Sequence, residues 1–319
     1  MLDLAVVSGG DTPRDALEGC VTLARHAEAL GYERVWYAEH HNMAAIASSA
    51  TSVLIAHVAA HTESIRLGSG GIMLPNHSPL VIAEQFGTLA ALHPDRIDLG
   101  LGRAPGTDQV TVRALRRAPG AAEHFPEDVL ELQAYLRGKS VVPGVEAVPY
   151  AGCDVPLYIL GSSLFGAQLA AELGLPFGFA SHFAPDALTR AVALYRERFR
   201  PSEQMEEPYV IAGVNVIAAD TDGEAEVERL KVVRARVARF LAGGRTLDDD
   251  QLDRLVASPH GQQVASMMTH TAAGSPATVR RHLEDFTRHA DADELMVSPA
   301  SRTAAGRLRT LGLLADALS

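Results

Sequence analysis

The chain has only two cysteines, Cys20 and Cys153, far apart and without metal-type spacing. That pattern gives no support to a disulfide framework or a zinc site. Positive charge is also scarce, with 28 Lys and Arg against 39 Asp and Glu and a net charge of −11. A nucleic-acid footprint needs a basic patch or stripe, and the short RALRR run at 113–117 reads as a solvated helix face. The opening MLDLAVVSGGDTP has no basic start and no long apolar run, so neither a signal peptide nor a membrane span is expected, and the expected location is cytoplasmic. Aromatic residues are few, but 47% of the 319 residues are apolar, enough to bury the core of two ordinary domains or one large barrel.

What is present is an alternation. LDLAVV (2–7) precedes TPRDALEGCVTLARHAEALGY, where Thr12 suits an N-cap, Pro13 the first helical position and Gly31 the C-terminal stop. Cys20 falls in the apolar pattern of that helix as a small core residue. Further β-rich runs at 33–40, 65–74, 97–102, 156–161, 177–183, 209–219 and 294–299 are each followed by a helical pattern. These strand candidates are near-continuous apolar runs, the pattern of a parallel sheet buried on both faces. Their count of eight predicts an α/β fold of the (β/α)8 TIM-barrel type, one domain over 1–319, in preference to a doubly wound sheet. Residues 243–274 break the rhythm. Polar, acidic and glycine-rich, they precede the last β/α unit and are expected to be an inserted loop or lid over the mouth, with a surface excursion as the alternative.

In a barrel of this type the chemistry collects at the C-terminal ends of the strands. Those ends read AEHH (38–41), GSGG (68–71), GLGRAPGTD (100–108), LGSS (160–163) and ASHF (180–183). As metal ligands His40 and His41 are poorly placed, since neighbours on a strand point to opposite faces unless the strand has ended. A general base and an ordinary structural histidine are the other readings. Three glycines in GSGG have no local reason inside a strand, and they imply either a bulge or the close approach of a flat or bulky group. LGSS ahead of LFGAQLAAELG offers amides and hydroxyls at a helix N-terminus, an anion site to which Arg103 would bring charge. Met43, Ile72, Phe165 and Phe183 are apolar candidates for the mouth or for the core.

The block from Val35 to Asp108, with EHHN, GSGG and GLGRAPGTD, resembles the bacterial luciferase-like flavin monooxygenases, especially a branch of uncharacterised oxidoreductases. The likeness continues through LYILGSSLFGAQLAAELGLPFGFASHF and returns in GSPATVRRHLEDF and ADELMV. The resemblance implies a (β/α)8 barrel, usually a homodimer, acting with FMN reduced by a separate flavin reductase, with O2, and on a small organic substrate. It implies that the catalytic residues are His40, the histidine beside the flavin, and Glu39 before it. Gly70 and Gly71 match a pair joined by a non-prolyl cis peptide behind the isoalloxazine ring. Arg103 matches the arginine on the flavin phosphate, and Gly161, Ser162, Ser163 and Gly166 fall in the phosphate-binding turn. The sequence departs from luciferase itself at Ser162, where luciferase has glutamate, at Gly166, where it has threonine, and at Gly102, where it has a reactive cysteine. A second phosphate arginine has no clear match, although Arg113, Arg116 and Arg117 lie in the region.

The implied reaction forms a C4a-hydroperoxide from reduced FMN and oxygen, shields it from water, and oxygenates a hydrophobic or aromatic substrate with His40 as acid/base. Light emission is not implied. One alternative is an F420-dependent hydride-transfer oxidoreductase of the same superfamily, whose oligoglutamate-tailed cofactor would want basic residues along the cleft. Another is a non-catalytic flavin-binding subunit, against which the joint presence of His40, Arg103 and the phosphate turn argues. No metal, nucleic acid or membrane partner is expected.

Overall fold

Thr12 opens the first helix as its spacing predicts. In the computed structural model, which describes residues 1–8, 10–149 and 152–318, Thr12 Oγ1 accepts from the Asp15 N–H at 3.2 Å. The Asp15 carboxylate accepts from the Thr12 N–H at 2.8 Å, a reciprocal capping box with Pro13 at the first helical position. The helix α1 (Pro13–Ala29) stops at Gly31, whose φ of 77° lies in the left-handed region.

The chain divides into two compact units, the first comprising Met1–Gly161, Phe165–Gly178 and Tyr195–Pro208. In it β1 (Leu2–Asp3), β2 (Arg34–Tyr37), β3 (Arg66–Met73), β4 (Ile97–Gly102) and β5 (Leu157–Gly161) pair in parallel in chain order. Between them run α1, α2 (Thr51–Ala59), α3 (Pro79–Leu92), α4 (Gln109–Ala114) and α5 (Phe125–Leu136), and α6 (Leu164–Leu173) and β6 (Phe177–Phe179) follow. Every residue of β2 and β4 is buried, as strands covered on both faces require. Asp98 of β4 is fully buried and anchors a polar network, accepting from Arg34 Nη1 at 2.7 Å, Trp36 Nε1 at 2.9 Å and Arg66 Nε at 3.1 Å.

Three expected strands are shorter than their apolar runs. Ala5 has a φ of 49° and its N–H turns back to Asp3 Oδ1 at 3.0 Å, so pairing in the 2–7 run stops at Asp3, and only an antiparallel bridge between Val6 and Ile46 follows. The 33–40 run pairs only to Tyr37 and the 177–183 run only to Phe179.

The second unit comprises Ser162–Leu164, Phe179–Leu194 and Tyr209–Ser319. It takes in the larger part of α7 (Leu188–Arg198), then β7 (Val210–Ala218), α8 (Asp222–Leu241), α9 (Asp249–Ala257), α10 (Pro259–Ser266), β8 (Thr271–Gly274), α11 (Pro276–Ala290), β9 (Glu294–Pro299) and α12 (Ala304–Leu318). β7 is buried throughout and pairs in parallel with both β8 and β9.

The expected loop over 243–274 is a correction. Asp248 and Gln251 form a second capping box, at 2.7 and 3.1 Å, that opens α9, and Ser258 caps α10 with Pro259 at its first position. Val264 and Met268 pack on Val233 and Val237 of α8, with Leu255 of α9 against the same cluster. The last four residues of the segment, TAAG, form β8, a strand absent from the eight-strand reading because small residues give no apolar run. Parallel strands alternating with helices give the α/β class that the sequence predicts. Among the described residues, no helix is long and apolar enough to cross a membrane.

Candidate functional site

Because β2 stops at Tyr37, the rule that sends neighbouring strand residues to opposite faces no longer applies to Glu39, His40 and His41. His41 folds back onto Glu39, and its Nε2 donates to Oε1 at 2.8 Å. From beyond β3, His77 Nε2 donates to the same carboxylate at 2.9 and 3.1 Å, and the Met73 N–H adds a third donor at 3.1 Å. Glu39 is 1% exposed. Burial pushes its carboxyl up, but the hydrogen bond and charge of His77, the bond from His41 and the Met73 amide outweigh it and hold the group below the ordinary glutamate value. Glu39, His41 and His77 are the one cluster among the described residues whose donor atoms, all within 4.8 Å of one another, come close enough to hold a metal ion. Their direct hydrogen bonds satisfy the carboxylate without one. His40, between the two fastened residues, is half-buried.

The motifs EHHN and GRAPGTD are physically one assembly. The Gly106 carbonyl accepts from the His41 N–H at 3.2 Å, and the Thr107 hydroxyl donates to the His41 carbonyl at 2.9 Å. Asn42 takes a left-handed φ of 55° and donates to Asp108 at 3.1 Å, and Asp108 in turn caps α4 through the amides of Val110 and Thr111. The Thr111 amide and then the Asn42 side chain lead the bonds that hold the Asp108 carboxyl well below its ordinary value. Gly106 has a φ of 62°, and a Cβ there would come within 2.9 Å of the Glu39 carbonyl oxygen, so only glycine lets the two loops meet. Asn76, in the turn just past β3, donates to the Pro105 carbonyl at 2.9 Å and ties in a third strand end.

The peptide between Gly70 and Gly71 is cis, and the register of β3 against β4 shifts between Ser69 and Ile72. The groups crowding these glycines belong to the chain itself. A Cβ on Gly70 would meet Leu2 at 2.8 Å and Trp36 at 3.0 Å, and one on Gly71 would meet the Gly100 carbonyl and Leu160, both at 2.7 Å. Arg103 stands exposed at the end of β4 with its guanidinium carbon 4.0 Å from the ring centroid of Phe165, in the first turn of α6. A Cβ at Gly161 or Gly166 would lie 3.5 Å from the other's Cα, so the end of β5 and the start of α6 approach closely. Ser162 and Ser163, both exposed, occupy the turn between them. An exposed guanidinium at a glycine turn leading into a helix has the donor chemistry of a phosphate site. Of the apolar candidates, Ile72 is core, while Met43, Phe165 and Phe183 are exposed.

The sequence reading missed His77 and gave His41 no role beyond a metal ligand. A histidine just past a strand end, in LPNHSP after GSGGIM, was the available signal.

The chain matches the family described as luciferase-like monooxygenase over residues 1–293. It is 47% identical to a luciferase-like monooxygenase of Escherichia coli K12, over 99% of this chain and 95% of the relative. It is 32% identical to the N-acetyl-S-alkylcysteine monooxygenase of Bacillus subtilis, over 100% and 97% of the two chains. Among solved structures, apo-MsnO8 superposes with a TM-score of 0.89 at 36% identity, covering 100% of this chain and 97% of that one. Two more distant structures share the fold alone. The FMN complex of the oxygenating constituent of 3,6-diketocamphane monooxygenase from Pseudomonas putida has a TM-score of 0.73 at 16% identity, covering 99% of this chain and 96% of that one. The coenzyme F420-dependent tetrahydromethanopterin reductase of Methanopyrus kandleri has a TM-score of 0.67 at 19% identity, covering 94% of each chain. The structures sharing this fold are luciferase-like TIM-barrel enzymes.

Proposed function

The chain belongs to the luciferase-like monooxygenase family, and from that membership we propose that it is an FMN-dependent monooxygenase that oxygenates a hydrophobic or aromatic organic compound. A separate reductase would supply the reduced flavin, and a homodimer in the cytoplasm belongs to the same proposal. The observation that carries it is the fastening of EHHN to GRAPGTD, which holds His40 between two anchored neighbours and sets Arg103 at the end of the same loop.

When bound, reduced FMN supplies the activation of oxygen, one atom of which passes to the substrate and the other leaves as water. Arg103 and the turn from Gly161 through Ser162 and Ser163 to Gly166 hold the phosphate, by guanidinium and amide donation. The backbone bulge at Gly70 and Gly71 would lie behind the flavin ring. His40 gives and takes the proton at its imidazole nitrogen as oxygen is activated. Glu39, whose oxygens already accept from His41, His77 and Met73, is a positioning residue.

Anaerobic binding of reduced FMN and reduced F420, followed by mixing with oxygenated buffer, tests the reading. Tight FMN binding with an oxygen-dependent absorbance transient is expected. Preference for F420, or no reaction with oxygen, overturns it. In His40→Ala we expect FMN affinity to be nearly unchanged while product formed per FMN oxidised falls about 100-fold. Unchanged coupling would remove His40 from the chemistry.

A further inference from the structure

The core gives no reason for the ring of Phe165. α6 buries Gly166, Ala167, Leu169 and Ala170, whereas Phe165, just before them, is 38% exposed. A single exposed apolar side chain is ordinary on a protein surface, so exposure alone decides nothing. The strand register says more. Gly102 of β4 lies opposite Leu160 of β5, so Arg103 leaves its strand level with Gly161, at the turn that leads into Phe165. The Arg103 guanidinium carbon then lies 4.0 Å from the centroid of the Phe165 ring, the separation of a cation laid over an aromatic face. Among the described residues Arg103 has no carboxylate partner, in a chain with 39 acidic residues to offer one.

The backbone that carries the ring is fixed from beneath. Gly166, the next residue, is buried, and a Cβ on it would lie 3.4 Å from Phe177 Cε2 and 3.5 Å from the Gly161 Cα. Phe177 is fully buried and tilts against Tyr195 with the ring centroids 5.5 Å apart. The Tyr195 hydroxyl donates to the Leu175 carbonyl at 2.9 Å, which pins that ring in turn. Phe165 therefore projects from a turn that rests on packed core, while Arg103 projects from a loop. An aromatic side chain gives up little rotamer freedom when it is ordered, and an arginine gives up much. Of the two, the ring is the fixed support and the guanidinium is the group it steadies.

We propose that Phe165 is a positioning residue that holds the Arg103 guanidinium ready for the phosphate of the flavin cofactor, and so sets the preference for a phosphorylated flavin. Stacking occupies the face of the guanidinium and leaves the N–H groups, which lie in its plane, open to phosphate oxygens. The entropy of ordering the arginine is then lost before the ligand arrives, which tightens binding of the phosphate alone. This deepens the reading of Arg103 as the phosphate ligand and rests on it.

Anaerobic calorimetry with reduced FMN and reduced riboflavin, which differ by the phosphate alone, reads the effect without catalysis. Wild type is expected to bind FMN more tightly, and Arg103→Ala to bring FMN down to the affinity of riboflavin. Phe165→Leu keeps an apolar side chain and removes the ring face. It should weaken FMN binding about three- to tenfold and leave riboflavin unchanged, and the riboflavin titration also shows that the variant is folded. Phe165→Trp, which offers the best ring face for a cation, should retain the FMN affinity. In the Arg103→Ala background Phe165→Leu should change nothing further, because the ring acts through the guanidinium. Unaltered or tighter FMN binding in Phe165→Leu overturns the proposal, the latter by showing that the ring masks the arginine. Equal losses for both flavins overturn it as well, since the ring would then touch the flavin itself or merely hold the turn. Those results leave Arg103 standing as the phosphate ligand. If instead Arg103→Ala keeps the preference for FMN, or wild type binds neither flavin, the cofactor reading fails first and the role of Phe165 falls with it.

Discussion

Glu39 shows what a single residue can conceal. The sequence singles out the EHHN cluster and assigns Glu39 a part in the chemistry, yet the side chain is sealed from solvent and spends its oxygens on three donors. His77 lies 38 residues away from Glu39, and no local pattern announces a contact made only when two strand ends come together. Replacing Glu39 by Gln keeps the shape and removes the charge, and should cost about 1–3 kcal/mol, read from urea unfolding at pH 7. The carboxyl is depressed in the folded state, so its stabilisation is fully present above the unfolded glutamate value of about 4.3 and is lost as pH falls through the lower folded value. The stability gap between wild type and Glu39→Gln should therefore narrow on acidification through that range. A gap independent of pH would mean that the carboxylate charge does not fasten the loop.

At the scale of elements, capping chemistry was the readable part and small residues the unreadable part. Thr12, Pro13 and Gly31 bound α1 where the sequence puts them, since a cap depends on neighbours three or four residues away. The same logic was available in DDDQ and SPHG, the openings of α9 and α10, but the acidic and glycine-rich composition hid it. β8 had no signal at all, because Thr271–Gly274 is held by the partner strand and not by its own apolar pattern. The layer made by α9 and α10 rests on a small cluster, so it is a separable part of the second unit. Met268→Ala, which truncates a side chain 6% exposed, should cost about 2–5 kcal/mol. Hydrogen exchange should quicken in α9 and α10 more than in β7. Uniform acceleration would show that this layer and the strands open together.

Over the whole molecule, the alternation of strand and helix was legible because strands buried on both faces must be apolar almost throughout. One exception sits at Asp98, a fully buried carboxylate holding Arg34, Trp36 and Arg66 across three neighbouring strands. Asp98→Ala leaves Arg66 without its carboxylate and Arg34 with only the exposed Glu33 at 3.9 Å, and should destabilise the fold by about 3–5 kcal/mol, measured by denaturant unfolding. A loss below about 1 kcal/mol would place the pair energies in the surface range. The stitching of EHHN to GRAPGTD also reaches beyond this one chain. Asn42 and Asp108 share a bond, Gly106 leaves the room that Glu39 needs, and Thr107 closes on His41. Descent can therefore alter either motif only by altering both, and the two should be inherited or lost as a pair across related lineages.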